Sequence, residues 1–161
     1  MSGKGPEVKA LFDSSAFAKR YIEEAGSQAV EDVCQRTTAL ALSVLCVPEI
    51  ISALNRRVRE KRLSRQDYFS AKNRLSEDVA DAVVIELTPE VVSRSILLLE
   101  THDLRTLDAI HVACALEWGA EEFVSADERQ VKAARKSGLK TTFIEPGEPP
   151  PATHGSQARR S

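Results

Sequence analysis

The feature that most constrains this chain is the alternation of short, near-continuous apolar runs with stretches of helical period. VKALFD (8–13), ALALSV (39–44), AVVIEL (82–87), EFVSA (122–126) and TTFIE (141–145) predict strands. The spacing of apolar residues predicts helices over 14–23, 26–37, 46–62, 64–80, 89–102, 106–118 and 127–137. Strands that are apolar on both faces and separated by helices predict a mainly parallel sheet covered on both sides. In such sheets ligands bind beyond the carboxyl ends of the strands, so chemistry is sought there.

The chain has 161 residues, 42% of them hydrophobic, enough for one domain with a real core. Residues 8–145 are expected to form that domain, behind a flexible start at 1–7. Four of the seven prolines fall in PGEPPPATHGSQARRS, which predicts a disordered tail over 146–161. No apolar run is long enough to span a membrane, which takes about 20 residues, and MSGKGPEVK lacks the apolar stretch of a secretory signal. Cys34, Cys46 and Cys114 are widely spaced in apolar surroundings, as expected of reduced core thiols in a cytoplasmic protein. The net charge of −2 gives no global attraction to nucleic acid. A phosphate partner must therefore be drawn by a local patch or a bound cation.

Four acids stand at strand ends or helix starts. Asp13 closes the first strand ahead of Ser14, and Asp127 follows Ser125 after the fourth. Glu49 comes just after Pro48 in a helix opening, and Asp108 lies in the first helical turn of LRTLDAIHVACA (104–115), after Thr106 as the expected cap. Each acid taken alone reads as a helix cap, and Asp127 with Gln130 resembles a capping box. In an open parallel sheet, however, the ends of the first and fourth strands share one crevice, which brings Asp13 towards Asp127. Spacing alone does not settle whether Glu49 and Asp108 join them. Two unit charges 4 Å apart repel by about 4 kcal/mol at an effective dielectric near 20, so a gathered quartet must protonate or hold a cation. An all-oxygen donor set favours Mg²⁺ or Mn²⁺ over zinc.

Read in order, ALFDSSAFAKRYIEEAGS, PEIISALNRR and LRTLDAIHVACALEWGAEEFVSADERQVKAA resemble successive motifs of the PIN-domain ribonucleases. The nearest likeness is to the VapC-type toxins of toxin–antitoxin pairs, over about residues 8–145. The resemblance implies a three-layer α/β/α fold with its sheet in the order 3-2-1-4-5, which brings all four acids to one pocket. It implies Mg²⁺- or Mn²⁺-dependent endonucleolytic cleavage of RNA, with Asp13, Glu49, Asp108 and Asp127 as the acidic quartet. Ser14 and Ser125 match its small hydroxyl positions, and Thr106 is placed to act likewise. A homodimer and a cognate antitoxin protein follow from the same likeness.

Lys19, Arg20 and Arg105 are the expected phosphate contacts, being nearest the acids in sequence. NRRVREKRLSR (55–65) has six basic residues against one acid and reads as a solvated helix face. His111, one turn past Asp108, is expected to be a packed, hydrogen-bonded histidine. A phosphatase of the haloacid-dehalogenase type wants an acid where Ser15 stands, and a receiver domain wants an acceptor acid where Leu87-Thr88-Pro89 stand. The remaining alternative is a non-catalytic RNA-binding or regulatory module that keeps a metal-binding acidic pocket.

Overall fold

The structure is a computed structural model, and it describes residues 5–146. Five strands form one sheet: β1 (Lys9–Phe12), β2 (Ala39–Ser43), β3 (Val83–Ile85), β4 (Glu122–Ser125) and β5 (Lys140–Phe143). Their order is β3-β2-β1-β4-β5 and every pairing is parallel, as the two-faced apolar runs require. Seven helices connect and cover them: α1 (Ser14–Phe17), α2 (Ser27–Arg36), α3 (Cys46–Arg59), α4 (Arg65–Asp81), α5 (Pro89–Thr101), α6 (Thr106–Trp118) and α7 (Glu128–Lys136).

The period-2 geometry of the strands splits the core in two. Ala10 and Phe12 of β1, Leu42 of β2 and Val124 of β4 face one side, where they meet Phe17, Val30, Ile50, Leu54 and Leu75 of α1–α4. Leu11, Ala41 and Phe123 face the other and meet Val91, Leu98, Val112, Cys114 and Ala134 of α5–α7. The result is the expected three-layer α/β/α arrangement. Cys46 and Cys114 are buried free thiols and Cys34 is a partly buried one. Among the described residues no helix is long and apolar enough to cross a membrane.

Local differences from the sequence reading have physical causes. The predicted helix over 14–23 is a single turn, α1, continued by a 3₁₀ turn over Ala18–Arg20. There Lys19 bends back to donate to the Ala25 carbonyl. Thr106 does not cap α6: Arg105 holds the extended cap position and Thr106 is the first helical residue. The expected start at 1–7 and tail over 146–161 lie largely outside the described residues.

Connections leave β1 and β4 in opposite directions across the sheet, β1 towards β2 and β4 towards β5. Adjacent parallel strands whose connections diverge leave a crevice at their carboxyl ends. Phe12 pairs with Val124 in register, so the next residues, Asp13 and Ser125, stand side by side at that crevice.

Candidate active site

Asp13 leaves β1 at the crevice and is 1% exposed. Its backbone N–H still donates to Val124 O (3.0 Å), and its Oδ1 caps α1 by accepting from the Ala16 N–H (2.9 Å). The Ser15 hydroxyl lies 2.8 Å from Oδ1 and 2.7 Å from Oδ2, and Ser125 Oγ donates to Oδ2 at 2.7 Å. Burial pushes the Asp13 carboxyl above its usual range, against the pull of His111 and of these hydrogen bonds.

Glu49 reaches the same place from the first turn of α3. Its Oε1 accepts from Ser14 Oγ (2.6 Å) and meets His111 Nε2 at 2.5 Å. The other imidazole nitrogen of His111, Nδ1, contacts Ser43 Oγ at the end of β2 (3.0 Å). Burial opposes the charge on Glu49, but the hydrogen bonds from His111 and Ser14 outweigh it and hold the carboxyl below its usual range. His111 is thus the packed, hydrogen-bonded residue expected, and it also orients an acid of the quartet.

Asp108 and Asp127 face each other from α6 and α7. Asp108 Oδ2 accepts from the Arg105 N–H (3.3 Å), and its Oδ1 accepts from Gln130 Nε2 (2.9 Å). Burial raises the Asp108 carboxyl, and the charge of Asp127 raises it further. Asp127 caps α7 through Oδ1, which accepts from the N–H groups of Arg129 (2.9 Å) and Gln130 (3.4 Å). Its own N–H donates to Ser125 Oγ (2.9 Å), the hydroxyl that also holds Asp13.

These bonds form two groups, which the backbone joins at Ser14 beside Asp13 and along α6. Glu49 joins Ser14 beside Asp13, Asp13 joins Ser125 and then Asp127, Asp127 joins Gln130, Gln130 joins Asp108, and α6 leads back through His111 to Glu49. The capping box expected of Asp127 and Gln130 is only half formed, because the Asp127 N–H donates to Ser125 Oγ while Gln130 turns its Nε2 to Asp108. Sequence reasoning misses Gln130 as a site residue, since only its spacing from Asp127 is visible there. It is buried, and its Oε1 has no hydrogen-bond partner among the described residues.

The other expected residues divide. Ser14 and Ser125 hold acids, whereas Thr106 is exposed and its side chain makes no hydrogen bond among the described residues. Lys19, 8% exposed, pairs with Glu24 (3.2 Å). Arg20 pairs with Glu31 (2.9 Å) and Asp78 (3.3 Å). Both are turned away from the acids into the packing of α2 and α4. Arg105 is exposed and caps the helix that presents Asp108.

Among the described residues no three His, Cys, Asp or Glu side chains are grouped as a complete metal cage. The donor set nevertheless suits a hard cation that keeps part of its water shell. It is all-oxygen, and Glu49 Oε2 and Asp127 Oδ2 accept no hydrogen bond from the described residues.

A PIN domain model matches residues 10–136. Two relatives, the ribonucleases VapC45 and VapC49 of Mycobacterium tuberculosis strains, are each 31% identical over 131 residues, covering 80% of this chain and 91% of the relative. Among solved structures, a toxin–antitoxin complex from Klebsiella pneumoniae superposes with a TM-score of 0.64 at 14% identity, covering 86% of this chain and 99% of that one. VapC20 of M. tuberculosis, a toxin that cleaves the sarcin–ricin loop, does so at 0.62 and 17% identity, covering 85% and 99%. The fold, the strand order and these matches together mean that the chain belongs to the PIN-domain family, in its VapC branch.

Proposed function

We propose that this chain is a divalent-cation-dependent endoribonuclease and the toxin of a toxin–antitoxin pair. Mg²⁺ or Mn²⁺ would be held by Asp13, Glu49, Asp108 and Asp127. The observation that carries this reading is the gathering of four acids far apart in sequence. One hydrogen-bonded set joins Asp13, Asp127 and Asp108 at the carboxyl ends of β1 and β4, and a second holds Glu49 to His111 and to Ser14, the residue next to Asp13. The VapC ribonucleases among its relatives support the reaction class. The toxin–antitoxin complex among its structural neighbours supports a protein antitoxin as partner.

The bound cation would offset the charge of the phosphate and make water a competent nucleophile at neutral pH. The chain's own residues do the rest. Ser15 and Ser125 keep the Asp13 carboxylate oriented despite its burial. His111 and Ser14 keep Glu49 ionised, with Oε2 turned free of both. Gln130 and the Arg105 backbone hold Asp108 in spite of repulsion from Asp127. One ionised carboxylate takes the proton of the attacking water as it adds to phosphorus, the P–O3′ bond breaks, and the departing 3′-oxyanion takes up a proton from solvent. The products carry a 5′-phosphate and a 3′-hydroxyl. A basic antitoxin side chain placed among the acids would block this chemistry by charge replacement.

The test is cleavage of total cellular RNA by the purified protein with Mg²⁺, with Mn²⁺ and with chelator, beside Asp13→Asn and Asp108→Asn, followed by end mapping. Cation-dependent cleavage that both substitutions abolish is expected. Equal cleavage by the variants would mark a contaminant. Tight RNA binding without any cleavage would replace the enzyme with a non-catalytic RNA-binding module.

A further inference from the structure

Several basic side chains that the sequence places near the acids are spent within the fold. Lys19, Arg20 and Arg57 each face an acid within 3.3 Å. Arg105 and Arg129, next to Asp108 and Asp127 in the chain, are exposed without an acidic partner within 4 Å among the described residues, and a larger group of the same kind lies on α3 and α4. Arg56 and Arg59 on α3, and Arg65 and Lys72 on α4, are exposed and have no acidic partner within 4 Å among the described residues. In a chain of net charge −2 this is a local concentration of positive charge.

Its placement follows from helical geometry. At 100° per residue, Arg56 lies within about 20° of the face that carries Glu49, about 10 Å further along α3. Arg59 follows about one turn later, rotated about 60° from Arg56. The helix that delivers Glu49 to the pocket therefore carries one arginine on the same face and a second beside it near its end. The next helix of the hairpin places Arg65, Phe69 and Lys72 at i, i+4 and i+7, on one face. Phe69 is 55% exposed, on the helix face of these two cations, with an edge contact to Tyr68 (centroids 5.4 Å).

Cations on the helix that delivers Glu49, and an exposed aromatic ring among cations on the next, match single-stranded nucleic acid, which offers phosphates and unpaired base faces together. We infer that the α3–α4 hairpin is a docking arm for single-stranded RNA, with Arg56 and Arg59 contacting phosphates that flank the scissile one and Phe69 stacking on an unpaired base. This rests on the ribonuclease reading, because it needs the RNA to be aimed at the acidic pocket. An ordinary solvated helix face would account for the charges but not for Arg56 on the Glu49 face, nor for the exposed phenyl ring among the cations.

The experiment separates the arm from the chemistry. Anisotropy of a labelled single-stranded RNA of mixed sequence is measured across a salt series, with chelator present so that nothing is cut. Hydrolysis of bis(p-nitrophenyl) phosphate with Mn²⁺ is measured in parallel, since that diester is too short to reach the arm. The proteins are wild type, Arg56→Gln with Arg59→Gln, Phe69→Ala, and Lys140→Gln at the opposite end of the sheet, each checked for native circular dichroism. The double substitution is expected to weaken RNA binding about tenfold and to flatten the salt slope by about 1.4, since each phosphate contact on a single strand accounts for about 0.7. Phe69→Ala should weaken binding by about fivefold or more with the slope unchanged, consistent with loss of about 1 kcal/mol or more of base stacking. Lys140→Gln should bind as wild type, and all four should hydrolyse the small diester equally. RNA affinity and salt slope that the double substitution leaves unchanged would overturn the arm, including the case where that variant instead loses a protein partner. Failure of the wild type to hydrolyse the diester, with the binding losses intact, would count against the nuclease reading and uphold the arm as an RNA-binding surface.

Discussion

Asp13 concentrates the energetic conflict of the site in one side chain. Its carboxylate is needed at the crevice, yet burial disfavours its charge and raises its pKa in the folded state. A carboxyl whose folded pKa lies above the unfolded value destabilises the fold wherever it is ionised in both states, and that cost fades as pH falls through the raised value. Asp13→Asn keeps the helix cap, because asparagine caps as well as aspartate, and it removes the buried charge. It is therefore expected to be more stable than wild type at neutral pH, with the gap closing on acidification. Urea denaturation of both proteins across the acidic range checks this; a variant less stable than wild type at neutral pH would contradict it. Glu49 runs the other way. Its depressed carboxyl adds stability above the ordinary carboxylate range, and that contribution is lost as pH falls through the folded value.

At this scale the four acids are legible because acids at strand ends and helix starts are positional signals that a sequence displays. Lys19 and Arg20 are expected at the phosphate only because they lie near Asp13 in the chain. Successive residues of a helical turn point about 100° or more apart, so proximity in sequence says little about direction. Direction is decided by Glu24, Glu31 and Asp78, which come from other parts of the fold. Gln130 is illegible as a partner of Asp108 for the same reason, since the two meet only through the packing of α6 and α7.

Elements hold the site through their ends, and the short α1 depends on the turn that joins it to α2. Gly26, the cap of α2, has φ +89°, and a Cβ there would come within 2.6 Å of Ile144 Cγ2 and 3.2 Å of the Glu145 carbonyl. Lys19, just beyond α1, donates to the neighbouring Ala25 carbonyl, so the turn ties α1 to α2 and to the end of β5. Gly26→Ala is expected to cost about 2–3 kcal/mol, from the left-handed backbone and the clash together. Thermal denaturation reads the loss directly, and an unchanged midpoint would mean that the turn relaxes freely. The strands and most helices are visible in the sequence because their apolar periods run over several residues. The ends are less visible, as at Arg105, which replaces Thr106 as the cap of α6 because its backbone N–H can meet Asp108.

For the whole molecule, the homodimer is a proposal that rests on surface chemistry. Val92, Ile96 and Leu97 on α5 and Leu107 on α6 are large apolar side chains left between 40% and 59% exposed. Val92 and Ile96 are neighbours one turn apart. Exposed apolar surface of this kind marks interaction sites more often than a monomer's free face. Ile96→Asp with Leu97→Asp is expected to shift a dimer to monomer in sedimentation velocity while leaving the circular dichroism spectrum native. A wild type that sediments as a monomer at all concentrations would remove the proposal.

By itself the sequence determined that the sheet is parallel and covered on both sides, because its strand segments are apolar on both faces. It also set Asp13 and Asp127 near the ends of the first and fourth strands, because those positions follow from where the apolar runs stop, whereas from the sequence Glu49 and Asp108 join them only as the family resemblance implies. The tertiary structure decided which of the nearby polar groups face those acids. Ser125 bridges Asp13 and Asp127, His111 holds Glu49 and Gln130 holds Asp108, whereas Lys19 and Arg20 turn away. The reason is that periodicity encodes burial, which is a property of one segment, whereas a hydrogen bond between two segments exists only once strand order and helix rotation have brought both of them to the same point.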